Sequence, residues 1–468
     1  MAPTRIHLIG ICGTAMATLA ALLKRKGLYV QGSDQDVYPP MSDFLAAEGI
    51  PTFSGYRAEQ ITDDLDVVVV GNAISRGNPE LEAVLDRKLR YWSLPEAVRE
   101  NFLWQSRSIV IAGTHGKTTT TALAGWVLTH AGLDPSVLVG GIARNFGERG
   151  SSYRIGQGRD FVIEGDEYDS AFFDKTAKFL KYLPDIAVVN NIEFDHADIY
   201  ADLPSVILAF RRLVNLVPRR GLLLLGADSP EAAALRPLAR SRVATFGLQA
   251  GADWQACDVT AGPRTTRFEV RRDGAAFGTF EVPLLGHHNV RNALAAIAVA
   301  TEAGASRDAI AEGLLRFAGV KRRLDVVGVA GGVTVYDDFA HHPTAVQETL
   351  GGLRASNPDA RIWAVFEPRS ASSCRRVFQD DFARAFAAAD RVLLAPVFRS
   401  TLPEGERLST EQLVADLIGR GQAAAAAPSI EAIVDTLVAE HRAGDLVVLM
   451  SNGGFGGIHQ KLLQALGR

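Results

Sequence analysis

Residues 109–121 read Ile-Val-Ile-Ala-Gly-Thr-His-Gly-Lys-Thr-Thr-Thr-Thr, and this stretch decides the fold. An apolar run stops at Gly113, and a run compatible with a helix starts near Lys117, which predicts a strand, a turn and a helix. Gly113 and Gly116 allow the backbone N–H groups of the turn to point inward, and the helix adds the positive end of its dipole. The stretch therefore predicts a phosphate-binding loop.

The loop also predicts which phosphate compound it binds. Lys117 can reach the β and γ phosphates, and the hydroxyl of Thr118 can hold a bridging Mg²⁺, so the expected ligands are ATP and Mg²⁺. The commonest form of the motif has a glycine where this chain has Ile111, which leaves a plain glycine turn as the alternative. The predicted nucleotide contacts in the loop are Gly113, Thr114, His115, Gly116, Lys117, Thr118 and Thr119.

Composition restricts the class of protein. The chain has 468 residues, enough for about three domains, and 47% of them are hydrophobic, as in ordinary globular proteins. A net charge of -4 gives no reason to expect binding to nucleic acid or to an anionic membrane. The three cysteines lack metal-ligand spacing, the strand-like start at Ile6 leaves no room for a signal peptide, and no apolar run is long enough to span a membrane. We expect a soluble, cytoplasmic protein.

The first 34 residues form a second nucleotide-type pattern. A strand leads into Gly10-Ile11-Cys12-Gly13, a helix follows, and a second strand ends at Gly32-Ser33-Asp34. A dinucleotide fingerprint would need glycine at Cys12 and Ala15, so a dehydrogenase is disfavoured. The turn can still receive a diphosphate, and Asp34 can meet a ribose or base. The candidate contacts in this part are Gly10, Cys12, Gly13, Thr14, Ser33, Asp34 and Asn72.

Acidic residues follow two further strands. Residues 164–169 read Glu-Gly-Asp-Glu-Tyr-Asp after the apolar Phe161 to Ile163, and residues 190–196 follow the apolar Ile186 to Val189 and end in His196. Because parallel strands end at one edge of a sheet, Glu164 and His196 should lie beside the phosphate loop. Oxygen ligands and a neutral imidazole suit Mg²⁺, although an exposed acidic turn is an equal alternative for 164–169.

The rest of the chain predicts one more α/β unit. Asn289 and Asn292, one helical turn apart before the helix Ala293 to Ala303, could bond an adenine edge or simply cap that helix. Residues 317–323 form a basic hinge, and the strand Val333 to Tyr336 then opens the last unit. Ala423 to Ala427 is interpreted as a helix end or loop. The predicted fold is α/β with a Rossmann-like domain at 1–104, a central P-loop ATPase sheet at 105–318 and a second Rossmann-like domain at 319–468.

The order of these motifs resembles that of the Mur ligase family of ATP-dependent peptide ligases over essentially the whole chain. The matching segments are 113–119, 164–169, 191–196, 286–292, 319–323 and 337–343. The resemblance implies a first domain that binds a UDP-sugar, a central ATPase domain and a last domain that carries the incoming amine. It also implies that Thr118 and Glu164 bind one metal ion and His196 another.

Further roles follow from the resemblance alone. Arg323 would bind the nucleotide, Asp338 would face its ribose or phosphates, and His341 would face the reacting groups beside the catalytic Lys117. Several members have a carbamylated lysine after the histidine that matches His196, but this chain has no lysine between Lys181 and Lys321. The branch of the family that acts on UDP-N-acetylmuramate and alanine also lacks that lysine, so its absence favours UDP-N-acetylmuramate as the sugar substrate.

The amine substrate is the finer question. Residues 38–41, 366–370 and 450–463 resemble the branch that uses the murein tripeptide L-alanyl-γ-D-glutamyl-meso-diaminopimelate in peptidoglycan recycling. The alternative is the branch that uses L-alanine in peptidoglycan synthesis, and a nucleotide-gated switch is the alternative from another class. A tripeptide with three carboxylates needs fixed cations. Arg369, which follows the strand Ile362 to Phe366, is the favoured one among the seven arginines between 369 and 407.

Overall fold

The computed structural model describes residues 4–398 and 402–467 and contains three successive α/β units. The first unit is a parallel sheet with the strand order β3-β2-β1-β4-β5. Its strands are β1 (Arg5–Ile9), β2 (Tyr29–Asp34), β3 (Thr52–Ser54), β4 (Val67–Val70) and β5 (Tyr91–Ser93). Its helices are α1 (Thr14–Arg25), α2 (Met41–Ala47), α3 (Pro79–Asp86) and α4 (Leu94–Asn101).

The central unit is built on a ten-stranded sheet with the order β17-β16-β15-β14-β13-β12-β6-β9-β7-β8. Its strands are β6 (Arg107–Ala112), β7 (Ser136–Ala143), β8 (Ser151–Arg154), β9 (Asp160–Gly165), β12 (Ile186–Val189), β13 (Leu222–Gly226), β14 (Arg242–Gly247), β15 (Trp254–Ala261), β16 (Thr266–Arg272) and β17 (Ala275–Val282), with a separate hairpin of β10 (Asp169–Ala171) and β11 (Asp174–Ala177). Its helices are α5 (Lys117–His130), α6 (Leu203–Val214), α7 (Pro230–Ala233), α8 (His287–Ala303) and α9 (Arg307–Leu315).

The third unit has a six-stranded sheet with the order β18-β19-β23-β20-β21-β22, in which β18 alone is antiparallel to its neighbour. Its strands are β18 (Asp325–Ala330), β19 (Val333–Asp338), β20 (Ile362–Phe366), β21 (Arg391–Leu394), β22 (Ala423–Ala426) and β23 (Leu446–Met450). Its helices are α10 (Pro343–Ser356), α11 (Gln379–Ala385), α12 (Thr410–Gly419), α13 (Ile430–Glu440) and α14 (Ile458–Leu466).

The α/β fold class predicted from the sequence is confirmed, but the central sheet is mixed rather than purely parallel. Strands β14, β13, β12, β6, β9 and β7 run parallel, whereas β8 pairs antiparallel with β7 and the ribbon β15-β16-β17 is antiparallel. The parallel part places the carboxyl ends of β6, β9 and β12 at one edge. This edge holds the candidate site.

Two local predictions were wrong. Ala423–Ala426 is not a helix end or loop but the edge strand β22, which pairs in parallel with β21. Alanine has little intrinsic strand preference, so this strand follows from its long-range pairing rather than from its own sequence. Helix α8 begins at His287 rather than at Ala293, which places both Asn289 and Asn292 inside its first two turns.

The basic linker at 317–323 is partly docked rather than free. Val320 forms an isolated antiparallel bridge with Ala143 at the end of β7. The N–H of Lys321 donates to the carbonyl of Ile142 at 2.9 Å, and the N–H of Arg144 donates to the carbonyl of Gly319 at 3.0 Å. A hinge between the central and third units therefore starts no earlier than Arg322.

The two faces of the central sheet bury different partners. Ile109 and Ile111 of β6 pack with α5 and α8, whereas Val110 and Ala112 pack in a cluster that includes buried residues of α1 and α6. The alternation follows from the two-residue period of a strand. The first and central units thus share one apolar cluster. No helix in the described part of the chain combines the length and the apolarity that crossing a bilayer requires.

Candidate active site

The phosphate loop connects β6 to α5 through two glycines with left-handed backbone angles. The φ angles are +132° at Gly113 and +82° at Gly116, values that side-chain-bearing residues rarely adopt. A Cβ atom at Gly116 would lie only 2.4 Å from Oδ1 of Asn292, and one at Gly113 would lie 3.0 Å from Asn190. Backbone conformation and close packing both require glycine at these positions.

Lys117 starts α5 and is almost fully buried at this sheet edge. Its Nζ donates to the carbonyls of Gly113 at 2.8 Å and Thr114 at 3.1 Å, and it lies 2.9 Å from Oε2 of Glu167. Burial opposes the charged ammonium, but the carboxylates around it, Glu167 first, outweigh burial and raise the pKa of Lys117. The lysine is therefore a fixed positive charge at the mouth of the loop.

Glu167 is the site residue that the sequence analysis did not select. It is 1% exposed, and its Oε1 lies 3.0 Å from Nε2 of His196, so one carboxylate joins Lys117 to His196. Burial alone would raise the pKa of Glu167, but Lys117 and His196 outweigh burial and lower it. The only signal in the sequence was its place in the acidic run 164–169, which does not show which carboxylate turns toward Lys117.

Glu164 forms a second carboxylate site beside the loop. The hydroxyl of Thr118 donates to its Oε1 at 2.8 Å, and the N–H of Gly140 donates to its Oε2 at 2.7 Å. Burial, followed by repulsion from Asp166, raises the pKa of Glu164. A divalent cation at this point would relieve both effects, and a hydroxyl and a carboxylate are hard oxygen donors of the kind that Mg²⁺ prefers. These residues therefore fit Mg²⁺.

The predicted metal ligands fall into two groups. Thr118 and Glu164 are in direct contact, whereas His196 bonds Glu167 and packs its ring 4.2 Å from that of Tyr168. Burial opposes the protonated form of His196, but Glu167 outweighs burial and raises its pKa. The assignment of Thr118 and Glu164 to one ion and of His196 to another stays a prediction.

The third unit reaches the loop through Arg323. Its NH2 donates to Oγ1 of Thr118 at 3.2 Å, and its guanidinium carbon lies 5.1 Å from the ring centre of Phe339. The carboxylate of Asp338 is buried and accepts from the N–H groups of Leu324 and Ala340. Asp338 thus holds the linker in place, and its contact with the ribose or phosphates stays a prediction.

His341 lies close to the same edge. Its Nδ1 bonds the carbonyl of Phe339 at 2.9 Å, and Asp195 is the acid that acts on it most strongly. Burial lowers the pKa of His341, so its imidazole is neutral at physiological pH. A neutral imidazole is the form that can accept a proton.

Asn289 and Asn292 make a connected pair of amides. Nδ2 of Asn292 donates to Oδ1 of Asn289 at 3.0 Å, and Nδ2 of Asn289 donates to the carbonyl of Leu285 at 2.8 Å. The hydroxyl of Thr120 donates to Oδ1 of Asn292 at 3.1 Å. Asn292 therefore packs α8 against α5 next to the loop. The contact of these asparagines with adenine stays a prediction, and Asn289 is the less buried of the two.

His115 and Thr119 complete the loop. The N–H of His115 donates to Oδ1 of Asn191 at 2.7 Å, and its Nε2 lies 3.3 Å from Oε2 of Glu193. Thr114 is bound to the same strand end, since its hydroxyl donates to the carbonyl of Glu193 and accepts from the N–H of Glu193. Thr119 is buried in the first turn of α5. The loop is thus held in place by the residues that follow β12.

The candidate sugar-nucleotide contacts lie at the carboxyl edge of the first sheet. Asp34 accepts from the N–H of Cys12 at 2.8 Å, and the hydroxyl of Tyr56 donates to it at 3.3 Å. Gly10 has a φ of +83°, and the N–H of Gly13 donates to the carbonyl of Gly10 at 3.3 Å. Asp34 is thus bonded to the turn, and the contacts of this turn and of Asp34 with a sugar nucleotide stay predictions.

The three remaining candidate contacts of the first unit differ in burial and in hydrogen-bond partners; they are Ser33, Thr14 and Asn72. The side chain of Ser33 is fully buried and bonds Glu80, and its carbonyl accepts from the N–H of Gly10 at 2.8 Å, so Ser33 shapes the turn from beneath. Thr14 starts α1 and is exposed. Asn72 donates to Oδ1 of Asp169 at 3.1 Å, a contact between the first and central units.

Arg369 lies just beyond the carboxyl end of β20. Its NH1 is 3.6 Å from Oε1 of Glu367, and its guanidinium carbon is 3.6 Å from the ring centre of the exposed Phe398. The side chain also crosses Gly453, where a Cβ would lie 2.1 Å from its Nε. Of the other arginines considered from the sequence, Arg399 lies outside the described residues.

Comparison with known families gives three matches in chain order. Residues 5–102 match the Mur ligase family, catalytic domain; residues 111–300 match the Mur ligase middle domain; and residues 322–453 match the Mur ligase, glutamate ligase domain. Together these matches cover most of the chain.

Individual relatives cover the chain from end to end. The UDP-N-acetylmuramate–L-alanyl-γ-D-glutamyl-meso-2,6-diaminoheptandioate ligase of Escherichia coli is 41% identical over 467 residues, which is 99% of this chain and 98% of that one. A UDP-N-acetylmuramate–L-alanine ligase of Desulforapulum autotrophicum is 35% identical over 98% of each chain. The crystal structure of a murein peptide ligase from Psychrobacter arcticus superposes with a TM-score of 0.72 at 36% identity and covers 99% of both chains.

Proposed function

The chain belongs to the Mur ligase family of ATP-dependent amide ligases, and we propose that it joins UDP-N-acetylmuramate to the tripeptide L-alanyl-γ-D-glutamyl-meso-diaminopimelate. ATP is converted to ADP and phosphate in this reaction. A nucleotide-gated switch is not supported, because the similarity extends through all three units and not only through the phosphate loop.

One observation supports the chemistry most directly. Lys117, Glu167 and His196 form a buried hydrogen-bonded chain at the edge where β6, β9 and β12 end, and Arg323 reaches this edge from the third unit. A carboxylate is a poor electrophile, so phosphorylation to an acyl phosphate supplies a leaving group before the amine attacks. A buried edge with fixed cations suits that transfer, because preorganised charges stabilise a developing charge strongly when water is excluded.

The proposed roles follow from these positions. Lys117 neutralises the charge of the transferred phosphoryl group, with Glu167 and the two loop carbonyls holding its Nζ in place. Thr118 and Glu164 would hold one Mg²⁺, and His196 a second; when bound, Mg²⁺ would supply further positive charge beside the phosphates. His341 carries a neutral imidazole that can take a proton from the amine, and Arg323 contributes a second fixed cation.

The proposal for the amine rests on Arg369 and on the relatives. A tripeptide brings three carboxylates, and a guanidinium pairs with a carboxylate through two N–H groups. Arg369 lies at the carboxyl edge of the third sheet, and among the described residues its acidic partner is Glu367. The full-length relatives of the alanine branch, at 35% identity, make L-alanine the second candidate.

A phosphate-release assay separates the two amines. We expect phosphate release to require UDP-N-acetylmuramate and ATP. We also expect kcat/KM to be far higher with the tripeptide than with L-alanine, since L-alanine brings one carboxylate where the tripeptide brings three. Arg369→Ala should weaken use of the tripeptide more than use of ATP, whereas Arg384→Ala, which changes an exposed arginine paired with Asp381, should change neither. Equal or better kcat/KM with L-alanine would assign the chain to the alanine branch.

A further inference from the structure

A second cluster of metal-ligating side chains lies between the central and third units. It contains His115 of the phosphate loop, Glu193 after β12 and His342, which caps the N-terminus of α10. Nε2 of His115 and Nδ1 of His342 lie 3.3 and 3.7 Å from the same atom, Oε2 of Glu193. One ligand atom from each residue lies within 4.8 Å of the other two. The cluster shares no residue with Thr118, Glu164 or His196.

The hydrogen bonds of His342 fix which of its nitrogens carries the proton. Nε2 lies 3.1 Å from the carbonyl oxygen of Phe194, which can only accept, so the hydrogen is on Nε2. Nδ1 then carries the lone pair, which accepts from the N–H of Thr344 at 3.3 Å. The same nitrogen lies 3.7 Å from Oε2 of Glu193, so two electron-rich atoms lie close together.

Two of the three side chains, His342 and Glu193, are also held in the charge state that metals require. Burial, followed by the charge of His115, lowers the pKa of His342 to about 4, so its imidazole is neutral at physiological pH. Burial opposes the charged form of Glu193, but the bonds from His115 and Thr344 outweigh burial and lower its pKa to about 2. A metal ion therefore need not displace a proton from either side chain.

Hydrogen bonds from neighbouring residues hold the three ligands in place. Thr344 donates its hydroxyl to Oε2 of Glu193 at 2.6 Å, Phe194 holds the far nitrogen of His342, and Asn191 holds the backbone of His115. The two imidazole rings are 4.7 Å apart. Ligating histidines in metal sites typically have such partners on the nitrogen that faces away from the metal.

We propose that His115, Glu193 and His342 bind one divalent transition-metal ion of the zinc and cobalt type. Two imidazoles and one carboxylate suit these ions better than Mg²⁺, whose protein ligands are mostly oxygen atoms. Three protein ligands leave a fourth position for water. Because two ligands belong to the central unit and one to the third, a bound ion fastens the start of α10 to the phosphate loop and favours this placement of the two units.

Cobalt titration of the full-length protein tests the site. The protein is stripped with a chelator, saturated with Mg²⁺ to occupy the Mg²⁺ positions, and titrated with Co²⁺ while visible absorption is recorded; Zn²⁺ then competes with the cobalt. Two variants change the cluster, Glu193→Gln and His115→Gln, and one changes the proposed Mg²⁺ site, His196→Ala. His130→Gln is the control, because His130 pairs with Glu312 away from the cluster. Thermal unfolding without metal verifies that each variant folds.

We expect the parent, His130→Gln and His196→Ala to bind one equivalent of Co²⁺ that Zn²⁺ displaces. Glu193→Gln and His115→Gln should each lower the affinity by at least about tenfold, since each removes a direct ligand. The proposal is overturned if the folded cluster variants bind Co²⁺ as tightly as the parent. If only His196→Ala loses Co²⁺ binding, the ion occupies the proposed Mg²⁺ site and the proposal is overturned. It is also overturned if the parent binds no Co²⁺.

Discussion

Lys117 combines two conditions that normally exclude each other, deep burial and a permanent charge. Burial of an ammonium is costly unless hydrogen bonds and opposite charges compensate. Here two carbonyls and Glu167 supply that compensation. The position of the charge is therefore set before any phosphate arrives, which is the arrangement that lowers a transition-state barrier most.

Lys117→Ala should abolish turnover while leaving the binding of UDP-N-acetylmuramate intact, since the sugar nucleotide is proposed to occupy the first unit. The expected loss is about 3 to 4 kcal/mol in the transition state, a rate decrease of several hundredfold. Phosphate release measures the first effect and calorimetry the second. Lys461→Ala, at an exposed pair with Glu431, is the control. A Lys117→Ala variant with half of the parent activity would rule out this role.

Glu164→Gln should raise the Mg²⁺ concentration that half-maximal activity requires. The change removes the charge of a carboxylate that contacts Thr118 and keeps its size. Loss of a ligand or of its support commonly costs about 10- to 100-fold in metal affinity. Activity is measured against Mg²⁺ concentration, with the exposed Glu431→Gln as the control. Superimposable Mg²⁺ curves for parent and Glu164→Gln would mean that this carboxylate binds no metal.

At the scale of elements, the packing of α5 on α8 determines the shape of the phosphate loop. Asn292 of α8 is bonded to Thr120 of α5 and occupies the space that a side chain at residue 116 would need. The conformation of the loop therefore depends on the packing of Asn292 as well as on the glycines of the loop.

Gly116→Ala should destabilise the protein more than Gly132→Ala does. Both glycines have left-handed φ angles, +82° and +76°, so each substitution carries a strain of about 1–2 kcal/mol. Only Gly116 adds a clash, because its Cβ would lie 2.4 Å from Asn292 whereas residue 132 faces open space. Overpacking of this kind typically adds about 1–3 kcal/mol. Urea unfolding compares the two variants, and equal losses would contradict the packing argument.

At the scale of the whole molecule, helices α8 and α10 join the central and third units through charges. Glu348 of α10 lies 2.5 Å from NH2 of Arg291 and 3.5 Å from Nδ1 of His288, both on α8. Burial alone would raise the pKa of Glu348, but His288 and Arg291 outweigh burial and lower it to about 2. This interface therefore depends on an ionised carboxylate.

Glu348→Gln should weaken the interface in a pH-dependent way. A carboxyl whose pKa is lower in the folded state stabilises that state fully above its unfolded pKa, which is about 4.5, and loses this contribution as the pH falls toward 2. We expect a loss of roughly 1 kcal/mol or more at pH 7, and a smaller difference from the parent at pH 4 and pH 3. Urea unfolding at each pH measures it. Glu440→Gln is the control, since Glu440 forms an exposed pair with Arg391 and its loss should have little effect on stability. If the stability difference between Glu348→Gln and the parent does not shrink on acidification, the assignment is wrong.

The sequence by itself determined the features that depend on neighbours along the chain. Apolar runs that end in glycine predicted β6, the phosphate loop and α5, and runs that end in acids predicted the polar ends of β9 and β12. The three α/β units follow from the same alternation of strands and helices, and the order of motifs identified the family. Strand periodicity, turn glycines and helix starts are local properties, so a single sequence contains them.

The tertiary structure alone decided which polar groups meet. Glu167 contacts Lys117 from 50 residues away. Asn292 packs against the loop from α8, and Asp338 accepts from the backbone of Leu324 in the linker. The alanine strand β22 likewise exists because β21 lies beside it. Pairings of this kind depend on how the sheets place distant segments together and on which buried charges then compensate one another, and neither is a property of the residues adjacent in sequence.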